Sequence, residues 1–406
     1  MCPDIQAIHA GPPLGPGHPL LAFPDVDAHA TLSRGHATWL LYAAFGCMAF
    51  LLNGMGAVLP PLQADLRVSR GEVAFYPSLF AIGLIVVGLV GAPLVGRIGR
   101  AATMRAAVGA ILAGGLLVAA PERLATLLGA LLLGLGAALL IQLVPAILAT
   151  THPHAPAAAV GEANGLASAA SVVAPLAVSA ALAVGVGWRI GYLGIPLLVL
   201  AAIAWPIWRL SVSEAPTYIS GGEFGPTSMV GRWVDLLVAV SIEFCMVFWA
   251  ASAFIAWDRA SASQGAALAS LFLVGMAGAR LSSARIIRRV PNPRNLVLLC
   301  TAGATAGFVL FWAAPNLALA AAGLLAAGLG VGLLYPTTVS RVVAAWPHAP
   351  DRAAARAALA SGLAIGGAPF LLAQISDAAG LRTAFLIVPV LLVVLALRQT
   401  LLKVRA

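Results

Sequence analysis

Apolar runs of about twenty residues, the length that carries a helix across ~30 Å of hydrocarbon, recur along this chain between short polar or Gly/Pro-bearing turns. Twelve are predicted, at 37–60, 72–96, 102–120, 124–149, 158–184, 189–209, 233–256, 265–287, 295–314, 317–344, 354–377 and 383–401. None alternates with the strand period of two that a membrane barrel requires, so the spans read as α-helices. One connection is longer than the others, the polar stretch near 210–232, and it falls at mid-chain. The pattern therefore predicts a tail over 1–36, six spans over 37–210, a central cytoplasmic loop over 211–232 and six more spans over 233–406.

The two sets of spans repeat one another. GLGxxLL occurs at Gly134–Leu140 and again 194 residues on at Gly328–Leu334. PHAP follows at Pro153–Pro156 and Pro347–Pro350, and Ala-Pro closes each copy at Ala174-Pro175 and Ala368-Pro369. Alanine matches carry little weight in so alanine-rich a chain. Prolines, histidines and glycines held in one register mark an internal repeat with a period of about half the chain. It overlays helices 4–6 on 10–12 and sets Glu162 opposite Arg356. Helices 2 and 8 overlay through Gly91-Ala-Pro-Leu and Gly278-Ala-Arg-Leu, an offset of 187 that sets Pro93 opposite Arg280.

Composition agrees with a chain in lipid: 61% hydrophobic, 9% charged, mean hydropathy +0.99. A soluble domain carries roughly 25% charged residues. The net charge of +9 is spread over short loops rather than gathered on one face, which argues against nucleic acid as a partner. Cys47, Cys245 and Cys300 sit in apolar runs without metal-ligand spacing, as small apolar fillers do. The tail holds His9, His18, His29 and His36, scattered as solvated histidines are, with no signal-peptide core; it reads as a disordered cytoplasmic segment. With both termini inside, sixteen Lys and Arg face the cytoplasm against six on the other side, Arg280 being intramembrane. That is the bias of the positive-inside rule, and it predicts a multi-pass protein of the cytoplasmic (inner) membrane.

Two like-oriented six-helix halves make a parallel repeat, the arrangement of major facilitator transporters. Over roughly 37–401 the chain resembles that superfamily. Its signature between helices 2 and 3, Gly-x-Leu-x-Asp-Arg-x-Gly-Arg-Arg, is met here by Leu94, Arg97, Gly99 and Arg100, with Ala92 for the first glycine and Gly96 for the aspartate. The resemblance implies an all-α integral membrane fold of twelve transmembrane helices in two pseudo-symmetric six-helix bundles. It also implies Arg97 and Arg100 as gating candidates, without the aspartate that helps latch the halves in the family. The arginine the family links to proton coupling in helix 4 is Ala130 here. The antiporter-type pattern of helix 5 reduces to Gly161, Ala170, Ala174 and Pro175, and its spacing recurs in helix 11, as close helix packing with a proline kink would have it.

Ionisable groups inside hydrocarbon are costly and mark function by default. Glu243 lies in mid-helix 7 and Arg280 in helix 8, at depths that agree to roughly 3 Å at 1.5 Å per residue. They are predicted to face each other across a central cavity, Arg280 drawing an anionic group and Glu243 neutralising it or carrying a proton. Glu162, near the cytoplasmic end of helix 5, is a gating candidate with Arg285 or Arg288 as partner. Asn53, Tyr76, Gln142 and Asn164 in the first half, and Tyr335 and Gln374 in the second, are the polar substrate-binding candidates. Interhelical hydrogen bonding is the competing use of such residues.

Neither HxxxH, HExxH nor a Ser-His-Asp set accompanies the loop histidines, so no catalytic residues, metal or cofactor are assigned. The reading is a monomeric secondary transporter working by alternating access on a small organic solute. An organic anion with proton coupling is one form of it, and drug or metabolite efflux by antiport another. A non-transporting sensor or assembly factor on the same scaffold is the second alternative.

Overall fold

The structure, a computed structural model, describes residues 34–210, 227–257, 260–345 and 350–401. Twelve helices in it are long and apolar enough to cross a membrane. They are α1 His36–Leu66, α2 Arg70–Gly91, α3 Pro93–Ala119, α4 Arg123–Thr151, α5 Ala158–Ala183, α6 Trp188–Trp208, α7 Val230–Trp257, α8 Ala262–Leu281, α9 Pro293–Ala313, α10 Leu317–Ala344, α11 Arg356–Ala379 and α12 Leu381–Leu401. An even number of spans brings residues 34 and 401 to one end of the bundle, called here the terminal end; the other is the far end. The tail expected over 1–36, with His9, His18 and His29, and most of the loop expected over 211–232 lie outside the described residues.

Three boundaries differ from the sequence pattern. The first helix runs through Pro60 and Pro61 and stops at Arg67, whose left-handed backbone (φ 52, ψ 46) turns the chain. Helix 7 is already helical from Thr227, which shortens the central connection. Helix 8 ends at Leu281, and a separate seven-residue helix, Ser283–Arg289, follows the Ser282-Ser283 pair. The register of α2 continues past Pro93 and breaks at Gly99, whose φ 81, ψ 161 is open to glycine alone. That glycine is the one shared with the superfamily signature.

The internal repeat is visible as helix packing. A Cβ at Gly134 would overlap the main chain of Phe80, and one at Gly328 that of Phe272. Gly136 lies on Ala107 and Ile111 of α3 as Gly330 lies on Gly303 and Ala304 of α9. Small residues thus let α4 nest between α2 and α3, and α10 between α8 and α9, where dispersion and close backbone approach replace the hydrophobic effect. The last helix of each half starts at a glycine of the same backbone, Gly187 (φ 87, ψ 155) and Gly380 (φ 82, ψ 153). The contacts also correct one register. Phe80 matches Phe272 and Gly83 matches Gly275, an offset of 192, so the counterpart of Arg280 is Gly88 and not Pro93. Small-residue runs align by chance; the backbone crossings do not.

The two halves meet along α1–α7, α2–α11 and α5–α8, and the bonds that join them cluster toward the far end. Ser179 and Ser263 share a hydrogen bond at 3.2 Å. Ser78 Oγ donates to the Gly366 carbonyl (3.1 Å), and Phe75 packs on Phe370 at 5.2 Å. Asp377, at the end of α11, accepts the backbone N–H groups of Arg70 (3.1 Å) and Gly71 (2.8 Å) at the start of α2. Gln374 Nε2 donates to the Gly71 carbonyl (3.2 Å). Gly56 of α1 lies so close on α7 that a Cβ there would overlap the Val247 carbonyl oxygen. Among the described residues, the hydrogen bonds between halves stop there. Toward the terminal end Gly362 of α11 still packs on Ile85 of α2, whereas a Cβ added at Gly88 of α2, or at Gly161 or Gly165 of α5, would meet nothing within 4 Å. The hydrogen bonds between halves are thus gathered at the far end.

Candidate functional site

The site begins one helical turn below the α1–α7 crossing. Glu243 precedes Val247 by four residues and Asn53 precedes Gly56 by three, so both lie on the terminal side of that crossing. Glu243 is buried, with 9% of its side chain exposed, and Arg280 NH2 stands 3.6 Å from its Oε1. Arg280 occupies the last turn of α8, where a cation also complements the helix dipole.

The rest of its position is set by a proline. Pro336 has no N–H to offer the carbonyl of Gly332 four residues back, and α10 is split there into Leu317–Val331 and Leu334–Ala344. Arg280 Nε donates to that freed carbonyl at 3.2 Å. Gly332 packs on Met276 and Ala279 of α8, which brings the carbonyl within reach. One guanidinium edge is therefore fixed by the backbone, while 37% of the Arg280 side chain stays open.

Tyr335, on the second segment of α10, completes the cluster. It lies near Ser361 of α11 and near the Glu243–Arg280 pair. The Tyr335 side chain is 38% exposed. In the first half Asn53 Nδ2 donates to Ser171 Oγ of α5 (3.0 Å) and to the Ala49 carbonyl (3.1 Å). The Arg280–Glu243 pair can hold a compact anion: a guanidinium with N–H groups still open and a carboxylate to exchange for it.

The remaining candidates stand apart from this cluster. Tyr76 is buried and bonded to Thr126 Oγ1 at 2.6 Å, a link between α2 and α4 near the far end. Gln374 belongs to the far-end contacts on Gly71. Asn164 donates to its own helix at Val160 and is exposed on α5. Gln142 lies against Gly91 of α2, its Oε1 buried without a partner.

At the terminal end, Glu162 is joined to Arg34 (2.6 Å) and Tyr42 (3.1 Å) of its own half. This corrects the predicted partners Arg285 and Arg288, which are exposed and belong to the short helix after α8. A charge on α5 meets the chain that runs into α1 before it meets the other half. Arg100 is buried and donates to Thr150 Oγ1 (3.3 Å) of α4, whereas Arg97 is exposed.

Two acids with evident roles have no place among the predicted residues. Asp377 joins the halves, and Asp235, 1% exposed, is bound by Arg398 at 2.6 Å. Both lie within a turn or two of a span's end, where a charge reads as interfacial. A recess of about 570 Å³ between α1 and α6, lined by His36, Leu40, Trp205 and Arg209, touches none of the candidates. Among the described residues no group of His, Cys, Asp and Glu could hold a metal ion.

Comparison with solved structures places this architecture. A nucleoside transporter, NupG, superposes with a TM-score of 0.70 at 11% identity, covering 89% of this chain and 98% of its own. A bacterial homolog of the human lysosomal transporter Spinster, inward-facing and occupied, gives 0.68 at 15% identity, covering 90% and 96%. An autoinhibited peptide transporter of the POT family gives 0.65 at 15% identity, covering 91% and 97%. No curated protein matches the chain in sequence. The sequence model of the Major Facilitator Superfamily matches residues 41–337, and with twelve membrane-length helices in two like halves the chain belongs to that superfamily of transporters.

Proposed function

We propose that this protein is a secondary transporter that carries a small organic anion between its two halves by alternating access, with protons as the coupling ion. The observation that carries the reading is the Arg280–Glu243 pair, 3.6 Å apart just below the α1–α7 crossing, with the guanidinium still partly open. An isolated charge in hydrocarbon costs about 3 kcal/mol or more, so each partner protects the other while the site is empty. An arriving carboxylate or phosphate takes the fork of Arg280, and Glu243, left in an apolar wall without its cation, takes a proton. Loaded, the site is again neutral and can cross. Asn53, Ser171, Tyr335 and Ser361 supply the hydrogen bonds that select among anions.

In this reading the terminal end faces the cytoplasm, as the sixteen-to-six distribution of Lys and Arg favours, and the structure corresponds to the inward-open state. Asp377 and Gln374 on the first turn of α2 then act as the outer gate. The Spinster homolog of similar fold is itself inward-facing. The test is counterflow in proteoliposomes across a panel of mono- and dicarboxylates and organic phosphates. Arg280→Gln should abolish exchange of the transported anion. Glu243→Gln should keep exchange and lose accumulation driven by a pH gradient. Wild-type exchange of neutral or cationic solutes alone would refute the assignment.

A further inference from the structure

At the terminal end of the second half, apart from the Arg280 cluster, Arg398 and Arg341 converge on the carboxylate of Asp235, with Arg232 beside them. Asp235 is saturated: Oδ1 accepts Arg398 Nε at 2.6 Å, while Oδ2 accepts Gln399 Nε2 at 2.9 Å and lies 3.8 Å from Arg341. Gln399 Oε1 is taken by Arg341 NH1 at 2.7 Å. Arg398 NH2 also donates to the Gly231 carbonyl, and Arg232 NH1 to the Arg341 carbonyl at 3.1 Å. The neighbouring connections do not offset this excess in sequence, because 211–226, 346–355 and 402–406 carry Glu214, Glu223 and Asp351 against Arg352, Lys403 and Arg405.

Charges that only set topology sit in water on loops. Here Arg341 and Arg398 are 17% and 29% exposed and locked among helix ends. Half-buried cations in excess of the acids among the described residues around them are costly, and the lipid headgroup layer supplies anions at this depth. We propose that the ends of α7, α10 and α12 form a binding site for the phosphate of an anionic phospholipid. Arg232, Arg341 and Arg398 present their unused N–H groups to it, as basic pockets between transmembrane helices do. Asp235 fixes two of the three guanidinium groups, so the site is built before the lipid arrives.

The test uses the full-length protein purified in a neutral detergent, its unfolding followed with added phosphatidylglycerol, phosphatidylcholine or inorganic phosphate. Phosphatidylglycerol should raise Tm by roughly 5 °C, the scale for a ligand well above its Kd, and the choline lipid should not. Arg232→Gln with Arg341→Gln, which leaves the Asp235–Arg398 pair intact, should lose at least half of that shift and the lipid-bound peak in native mass spectra. An equal shift with the choline lipid, or one unchanged in the double variant, would overturn the proposal. The full shift from inorganic phosphate alone would assign the site to a free anion and overturn the lipid. If the double variant does not fold, retention of phosphatidylglycerol by the wild type must fall with rising salt; retention indifferent to salt counts against the site.

Discussion

Replacing Asp377 by alanine should open the far end. Its carboxylate accepts two backbone N–H groups at the first turn of α2, from Arg70 and Gly71, across the boundary between halves. Hydrogen bonds to a charged group contribute about 1.5–3 kcal/mol each when shielded. Asp377 is exposed, so about 2 kcal/mol for the pair, helix-dipole attraction included, is the reasonable figure. The bonds exist only while the far end is closed, and their loss therefore acts wholly on the equilibrium between states. A change of 2 kcal/mol is about 30-fold, which would turn odds of ~100:1 for the closed end into ~3:1. Spin labels on Pro121→Cys and Pro315→Cys, exposed at far-end turns of different halves, report that distance in a Cys2→Ser background. Cys47, Cys245 and Cys300 are buried and stay unlabelled. Wild type should give one short distance, Asp377→Ala a second and longer one, and Asp377→Asn an intermediate share. Identical distributions for wild type and alanine variant, in detergent and in bilayer discs, would refute the latch.

Gly56→Leu places a side chain where the Val247 carbonyl sits; the same spin pair should report an open far end, and exchange in proteoliposomes should fall below a tenth. Asp235→Asn leaves Arg398 and Arg341 without their carboxylate in a buried site, a loss of about 3–5 kcal/mol. It should appear as a large drop in Tm of the purified protein; an unchanged Tm would mean that solvent reaches the pair freely. Gly99→Ala forces a β-carbon onto a backbone only glycine adopts, at a cost of roughly 1–3 kcal/mol. Its thermal stability should fall with the affinity for substrate unchanged.

Much of this architecture is legible in the residues because lipid allows so few solutions. Hydrophobic length locates the spans, and the GLGxxLL repeat is the packing of α4 and α10 against their neighbours. The Arg280–Glu243 pair is readable from depth alone, since two opposite charges in neighbouring apolar helices have few other partners. What sequence cannot carry is rotation and direction. Tyr76 and Asn53 look alike in one dimension, yet one is closed off against Thr126 of α4 and the other reaches Ser171 of α5. Glu162 sits at the right height for a gate but is turned to Arg34. Asp377 and Asp235 lie near helix ends, where a charge costs little and so signals little. Their importance comes from partners 306 and 163 residues away.

The central claim is that a carboxylate and a guanidinium trade partners on an arriving anion, and one measurement bears on it directly. In proteoliposomes loaded with the anion selected by the counterflow panel, exchange and pH-driven accumulation are followed for wild type, Glu243→Gln and Arg280→Gln. Wild type should do both, Glu243→Gln should exchange without accumulating, and Arg280→Gln should do neither. Accumulation by Glu243→Gln with the pH dependence of the wild type would contradict the account.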